Sequence, residues 1–413
     1  MVGKTKKEAP KDETSISAQL LLRGGFIHKE IAGAYAFLPL GLKVLNKIVQ
    51  IIREEMEAIG GQEMILSSLQ NPEVWERSGR WDDEVYDIWF KTKLKNGTEL
   101  GLATTHEEPL TQLMRSQIFS YKDLPLYVFQ FQTKFRNEAR PKGGLLRTRE
   151  FLMKDLYSFD KTEADLNSFY EKTKQAYVNI FNRLGIGEST YLTFASGGTF
   201  SKYSHEFQTV CKNGEDTIYL DRKMGLAINK EVYSDEVISD LGLAKKDIEE
   251  VRAIEVGNIF KQKTKFSAPL DLCYLDSDGT KKPVITGAYG IGIARSMATV
   301  VELKHDNRGI IWPRNIAPFT IHLVGLNLEN SEVKKQAEEV YQKLVDSGVE
   351  VLFDDRPEAT AGEKFSDADL IGIPYRVVVS KNTKDKIEIK KRTEEKNEMI
   401  ALETLLDLVH NSK

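Results

Sequence analysis

Only two cysteines occur in 413 residues, Cys211 and Cys273, far apart and without a CxxC neighbour. No disulfide framework and no zinc ligand set is expected from them, and a chain so poor in cysteine suits a reducing, cytoplasmic compartment. No apolar run approaches the roughly 20 residues of a membrane span, so no membrane partner is expected. Met1 to Thr14 is polar, Lys- and Glu-rich and without a secretory apolar region; residues 1–16 are read as a disordered tail. Neither sign of charge dominates, with 58 Lys and Arg against 62 Asp and Glu and a formal net charge of −4. That balance argues against wholesale coating of nucleic acid while leaving room for a local basic patch. No internal repeat is present.

What is there exceeds one hydrophobic core, so at least two domains are expected. Val44 to Ile59 has helical apolar spacing and is stopped by Gly60-Gly61. Glu63 to Leu69 reads as a strand, Leu126 to Phe159 as a hairpin, and Leu166 to Leu184 as a helix closed by Gly185. Val284 to Thr286 reads as a short strand, followed by glycine-rich turns and a helix from Ile293 to Leu303. Trp312 to Pro318, with two prolines, marks a boundary. Beyond it, strands at 319–325, 349–353 and 375–380 alternate with helices at 331–347 (N-capped by Ser331) and 364–371. The fold class is therefore an α+β first domain with antiparallel hairpins, over 17–315, and a small α/β domain with a largely parallel sheet over 316–413.

The hairpin carries the strongest chemical pattern. With period two, Tyr127, Phe129, Phe131, Thr133 and Phe135 share one face, and Gln130, Gln132, Lys134, Arg136 and Glu138 the other. Arg147, Arg149, Glu150 and Phe151 follow a Pro/Gly loop. Amides, cations and a carboxylate on one face suit a phosphate-bearing ligand, and equally an ordinary solvated face. Gly287 to Gly292, ending at Arg295, lets a ligand approach the backbone, or a helix approach a strand. Thr105 and Glu107 are either helix caps or acceptors for a protonated amine. His205, in Ser204-His205-Glu206-Phe207, is structural or pocket-forming. Glu255 beside Gly257 fits a metal, a ribose or a plain strand carboxylate.

In this order, an FRxE strand–loop–strand with a second arginine and a glycine-rich strand–helix ending in arginine resemble the signature motifs of class II aminoacyl-tRNA synthetases. The nearest resemblance is to prolyl-tRNA synthetases of the bacterial type. Supporting runs are Leu38-Pro39-Leu40-Gly41, Thr105-His106-Glu107-Glu108, Arg149 to Asp155, Ser204 to Phe207 and Asp369-Leu370-Ile371-Gly372-Ile373-Pro374. The resemblance implies ATP and Mg²⁺ as reactants, no zinc, and L-proline and tRNA(Pro) as substrates. It implies that Arg136 and Arg295 act on the reacting phosphates, and that Arg136, Glu138, Arg147, Phe151, Glu255, Gly292 and Arg295 hold ATP, with Glu255 also a Mg²⁺ ligand. Thr105, Glu107, Arg136, Phe159 and His205 would hold proline, and Arg356, Glu363, Lys364 and Asp367 would read the anticodon.

Three departures from the family pattern stand out. Ser67 replaces a proline in the first motif, which builds the homodimer interface, and Ala288 replaces a cysteine. Bacterial relatives commonly carry a large editing domain between the second and third motifs, whereas residues 221–256 leave room only for a short connection. The chain is therefore expected to lack editing of its own, with a separate protein as a candidate to supply it.

Overall fold

The computed structural model describes residues 3–197 and 203–411. Its chain forms two compact units, one of Glu30–Tyr35 with Ile48–Thr299 and one of Met1–Lys29, Ala36–Lys47 and Val300–Lys413. This grouping differs from a single break at 315/316, since N-terminal segments join the C-terminal unit. Residues 3–15, read as a tail, carry contacts: the Lys6 amide donates to the Arg23 carbonyl at 2.8 Å, and Lys29 pairs with Asp12 and Glu13 at 2.7 Å.

The larger unit is built on a nine-stranded sheet. In chain order its strands are β1 (Gln62–Glu63), β2 (Leu126–Phe135), β3 (Glu150–Asp160), β4 (Thr190–Ser196), β5 (Tyr203–Val210), β6 (Asp216–Asp221), β7 (Leu226–Asn229), β8 (Glu249–Lys263) and β9 (Ile285–Gly292). They are arranged β5-β4-β7-β6-β8-β9-β3-β2-β1, with β5 also pairing β8. The central pairs β8–β9, β9–β3 and β3–β2 are antiparallel. The extra β5–β8 pairing closes β4 to β8 into a small barrel whose interior holds Ile218, Leu220, Ala227 and Ala253. Residues 221–256, read as a short connection, thus supply barrel strands.

Two further readings change. Glu63 to Leu69 is not one strand, because only Gln62–Glu63 and Leu69–Gln70 pair. The glycine run is not a set of turns; Ile285–Gly292 is one continuous strand held between β8 and β3.

Helix α1 (Glu107–Met114) precedes β2, and helix α2 (Glu163–Arg183) covers the other face of the sheet. Thr162 and Asp165 form a reciprocal capping box that starts α2, and Gly185 at φ +79° follows its end. Its buried Phe169, Tyr170, Tyr177 and Phe181 meet the sheet, with Phe169 stacked on Tyr127 at 3.6 Å. Helix α3 (Ile293–Leu303) continues directly from β9.

In the smaller unit, β10 (Ile321–Gly325), β11 (Val351–Asp354), β12 (Tyr375–Val379), β13 (Ile387–Lys391) and β14 (Glu398–Ile400) are arranged β11-β10-β12-β13-β14. The first three are mutually parallel and β13 and β14 antiparallel. Helix α4 (Ser331–Asp346) is capped by the Asn330 side chain rather than by Ser331. Helix α5 (Ala361–Ile371) carries a Thr360–Glu363 capping box.

Asp160, at the end of β3, is fully buried; Ser158 donates to one oxygen at 2.8 Å and the other has no partner among the described residues. Burial pushes its carboxyl pKa up to about 7. Because the folded state holds this proton more tightly than the unfolded chain does, stability from it is present at low pH and is lost as pH rises toward 7. Asp160→Asn is expected to raise the thermal midpoint most at pH 8, less at pH 5, and hardly at all below pH 4. A gain independent of pH would show the carboxyl to be ionised throughout.

Candidate active site

The polar face of the hairpin is not a solvated face. One row across four strands runs Asn258, Gly290, Asp155, Gln130. Lys134 on β2 is fully buried, and its ammonium lies 2.9 Å from Asp155 Oδ2 and contacts His106 Nδ1. The same carboxylate oxygen accepts from Gln130 at 2.8 Å and from the Tyr157 hydroxyl at 2.9 Å. His106 Nε2 lies 3.1 Å from the Ser67 carbonyl, which can only accept, so Nε2 carries the proton and Nδ1 accepts from Lys134. Burial and the Lys134 charge pull the His106 pKa down to about 4, keeping the ring neutral. The network fixes the corner from which Thr105 and Glu107 extend.

At that corner the Thr105 hydroxyl donates to Glu107 Oε2, and Gln262 of β8 approaches Oε1 at 3.3 Å. The neighbouring Glu108 is fully buried, with Arg80 at 2.9 Å and the Ser78 hydroxyl at 2.8 Å. Burial pushes the Glu108 pKa up to about 7. Both carboxylates lie in the first turn of α1, where the helix dipole favours negative charge.

Beside this corner a cleft encloses about 640 Å³ of space, part of it open to solvent, and all seven residues read as ATP ligands line it: Arg136, Glu138, Arg147, Phe151, Glu255, Gly292 and Arg295. Arg147 pairs with Glu138 at 2.8 Å. The Arg295 guanidinium donates to the Leu146 carbonyl at 2.8 Å and the Glu255 carbonyl at 3.1 Å, and lies 3.5 Å from the Glu255 carboxylate. Asn258 donates to the other Glu255 oxygen at 2.8 Å.

Arg136 differs from these two. Its guanidinium lies 5.2 Å from the Phe151 ring centre, and its buried Nε has no partner among the described residues. A buried cationic donor without an acceptor is costly, and an anion in the cleft would supply one.

The glycines of β9 divide between two roles. A Cβ on Gly290 would come 2.9 Å from Asn258 Oδ1 at the cleft floor, while one on Gly287 would come 2.4 Å from the Tyr289 hydroxyl and 2.8 Å from Leu166 of α2. Gly290 therefore keeps the floor low, and Gly287 serves helix packing.

Two residues read as proline ligands are not brought to Thr105 and Glu107. Phe159, on β3 opposite Thr286, is buried at 2 % exposure in a core cluster with Leu110, Met114 and Val284, below the helix that carries Glu107. His205 faces α2, where Nδ1 is 2.8 Å from the Tyr170 hydroxyl and Phe194 is 4.5 Å away. Lys261 on β8 shares that α2 face, over Tyr170, so Gln262, which reaches Glu107, lies on the opposite one. Burial lowers the His205 pKa to about 4. Its neighbour Glu206 faces away from α2 and accepts from Gln208 and Asn229, and burial with the Glu255 charge pushes its pKa up to about 8.

In the smaller unit, Arg356 pairs with Asp354 at 2.7 Å and Asp367 at 2.8 Å, and Arg356, Glu363 and Asp367 line one groove. Lys364 does not join them. Its buried ammonium donates to the Gly325 carbonyl at 2.6 Å, holding α5 to β10.

Residues 90–304 match the family model of the class II tRNA synthetase core domain (G, H, P, S and T), and residues 316–412 match the anticodon binding domain. The chain is 34 % identical to a proline–tRNA ligase of Persephonella marina, covering 96 % of each. It is 36 % identical to one of Caulobacter vibrioides, covering 98 % of this chain and 97 % of the relative. The crystal structure of prolyl-tRNA synthetase from Cryptosporidium parvum complexed with L-proline and AMP is similar in fold, with a TM-score of 0.76 at 17 % identity, covering 96 % of this chain and 77 % of that one.

Asp155→Asn would leave the Lys134 ammonium without its counter-charge, at a cost of about 3 kcal/mol. The expected outcome is a lower denaturation midpoint together with faster amide exchange at Thr105 to Glu107. Destabilisation without faster exchange there would separate the corner from the network.

Proposed function

The chain belongs to the proline–tRNA ligases, a family of class II aminoacyl-tRNA synthetases, and from that membership we propose that it activates L-proline with ATP and transfers the prolyl group to the 3′ end of tRNA(Pro). The observation that carries the mechanism is the partnerless Arg136 donor in a cleft that also holds Arg147 and Arg295.

In the first step the proline carboxylate attacks the α-phosphorus of ATP, the bond to the β-phosphate oxygen breaks, and pyrophosphate leaves. Such a displacement needs alignment and charge neutralisation rather than a protein base. Arg136 would meet the reacting phosphate, and Arg147 and Arg295 the outer ones, exchanging their present carboxylate contacts for phosphate oxygens. Phe151 would bear on the adenine. Thr105 and Glu107 would accept from the secondary ammonium of proline, with Gln262 orienting the carboxylate.

Mg²⁺ commonly binds ATP through one or two protein carboxylates and the phosphates themselves. Glu255, on the cleft wall beside Arg295, fits that modest requirement, and the ion would add positive charge on the phosphates. Glu206, with its raised pKa, suits a neutral second carboxyl behind it.

Ile65 and Leu69 flank Ser67 and are 73 % and 54 % exposed, and Phe119 is 66 % exposed. These apolar side chains suit a homodimer contact at the first motif. No helix among the described residues is long and apolar enough to cross a membrane, and we place the work of the enzyme in the cytoplasm.

Pyrophosphate exchange measured with each of the twenty amino acids is expected to respond to proline. In Arg295→Ala it is expected to fall by at least about 100-fold without loss of the folded baseline. Exchange driven by another amino acid would overturn the substrate, and an unchanged rate would remove Arg295 from the site.

The alignment to the Persephonella marina relative spans 547 positions, at least 134 more than the 413 residues of this chain, whereas that to the Caulobacter vibrioides relative spans 434. The difference supports the absence of an editing module, with hydrolysis of mischarged tRNA left to a separate protein. Alanyl-tRNA(Pro) is therefore expected to persist in the presence of the purified protein; rapid deacylation would overturn this.

A further inference from the structure

The groove beside Arg356 has a second wall that neither the family motifs nor the candidate anticodon residues include. It is formed by Thr5, Lys6 and Lys7, with Arg23 behind them, and the groove encloses about 1770 Å³, part of it open solvent. Two bonds fix this wall. The Thr5 hydroxyl donates to Asp367 Oδ1 at 2.6 Å, and the Lys6 amide donates to the Arg23 carbonyl at 2.8 Å.

The cations of the groove fall into two kinds. Arg356 is neutralised by Asp354 and Asp367, and Arg308 by Asp306, Asp369 and Glu395. Lys6 and Lys7 are exposed and have no ion pair among the described residues. The Arg23 guanidinium has none either, and its Nε is buried without an acceptor. Three cations without a close ion pair among the described residues line one wall, the Lys7 charge reaching Glu363 across the groove, and they favour an anionic ligand running along it.

We propose that the segment Thr5–Lys7, with Arg23, holds the backbone phosphates of the tRNA anticodon loop. On the facing wall Glu363 keeps one carboxylate oxygen for base edges while the other holds the Thr360 cap, and Asp367 holds Thr5 and Arg356 in place. The proposal rests on the reading of this chain as a tRNA ligase, and it extends the RNA site to Thr5, Lys6 and Lys7. The division of labour follows from chemistry. Ammonium and guanidinium groups bind phosphate whatever the base, whereas a carboxylate repels phosphate and accepts from base N–H groups and ribose hydroxyls. Arg356, already paired with Asp354 and Asp367, would hold those two carboxylates in place rather than compete for phosphate.

The test is binding of tRNA(Pro) to the full-length protein across a series of KCl concentrations, for wild type, Lys6→Gln/Lys7→Gln and Arg23→Gln. Each phosphate contact on a single-stranded segment contributes about 0.7 to the slope of log K against log salt. The double variant is expected to lose about 1.4 from that slope, and to weaken equally for tRNA(Pro) and for a tRNA with a changed anticodon. Arg23→Gln should lose about half as much, and Lys6→Arg/Lys7→Arg should restore the slope. An unchanged slope, or a loss confined to the cognate anticodon, would overturn the proposal. Failure of the wild type to charge tRNA(Pro) would instead overturn the ligase reading, so the two failures are distinct.

Discussion

The ammonium of Lys134 is sealed under the larger unit's sheet, and its pairing with Asp155 is the constraint from which the site is built. An isolated buried charge would be very costly, so β2, β3 and the corner before α1 must arrive together to satisfy it. Gln130 and Tyr157 complete the carboxylate's coordination, and His106 passes the ordering on to Ser67. The arginine-lined cleft and the Thr105–Glu107 corner, carried on segments far apart in sequence, are thereby held in one geometry before any ligand enters. Pre-ordering of that kind lowers the reorganisation required at the moment of reaction.

The arginines of the cleft illustrate two ways of holding positive charge ready. Arg147 and Arg295 are steered by Glu138, Glu255 and backbone carbonyls, so their side-chain entropy is spent during folding. Arg136 is steered by the Phe151 ring and left short of an acceptor. Under the proposed mechanism an incoming triphosphate would meet one guanidinium without a carboxylate partner among the described residues and two that must exchange partners, an exchange that would temper ground-state affinity for phosphate.

Much of this was legible in the chain. The period-two hairpin and the helix closed by Gly185 form as local pattern predicts, and the seven residues that the family resemblance assigns to ATP line one cleft. What escaped depends on pairing between distant strands. The strand character of Gly287 to Gly292 comes from β8 and β3 on either side, which override glycine's weak strand preference. His205 carries a motif residue type, yet which face its side chain takes is set by sheet register; Phe159 shares the face of Asp155 and Tyr157 but lies farther along β3, beneath α1. Lys364, which the resemblance assigns to the anticodon, is drawn inward by the carbonyls at the ends of β10 and β11. Lys134 was visible as one of the polar face, but nothing local to it announces Asp155 and His106 as partners.

The barrel closed by the β5–β8 pairing has a consequence for solubility as well as for shape. An open sheet ends in strands whose unpaired amides and carbonyls can recruit another chain. Here β4 to β8 pair in a circle, so this half of the sheet presents no such template. Between β7 and β8 the chain adds Val237, Ile238 and Leu243 to an apolar cluster with Ile228, so any module inserted there would have to leave that packing intact.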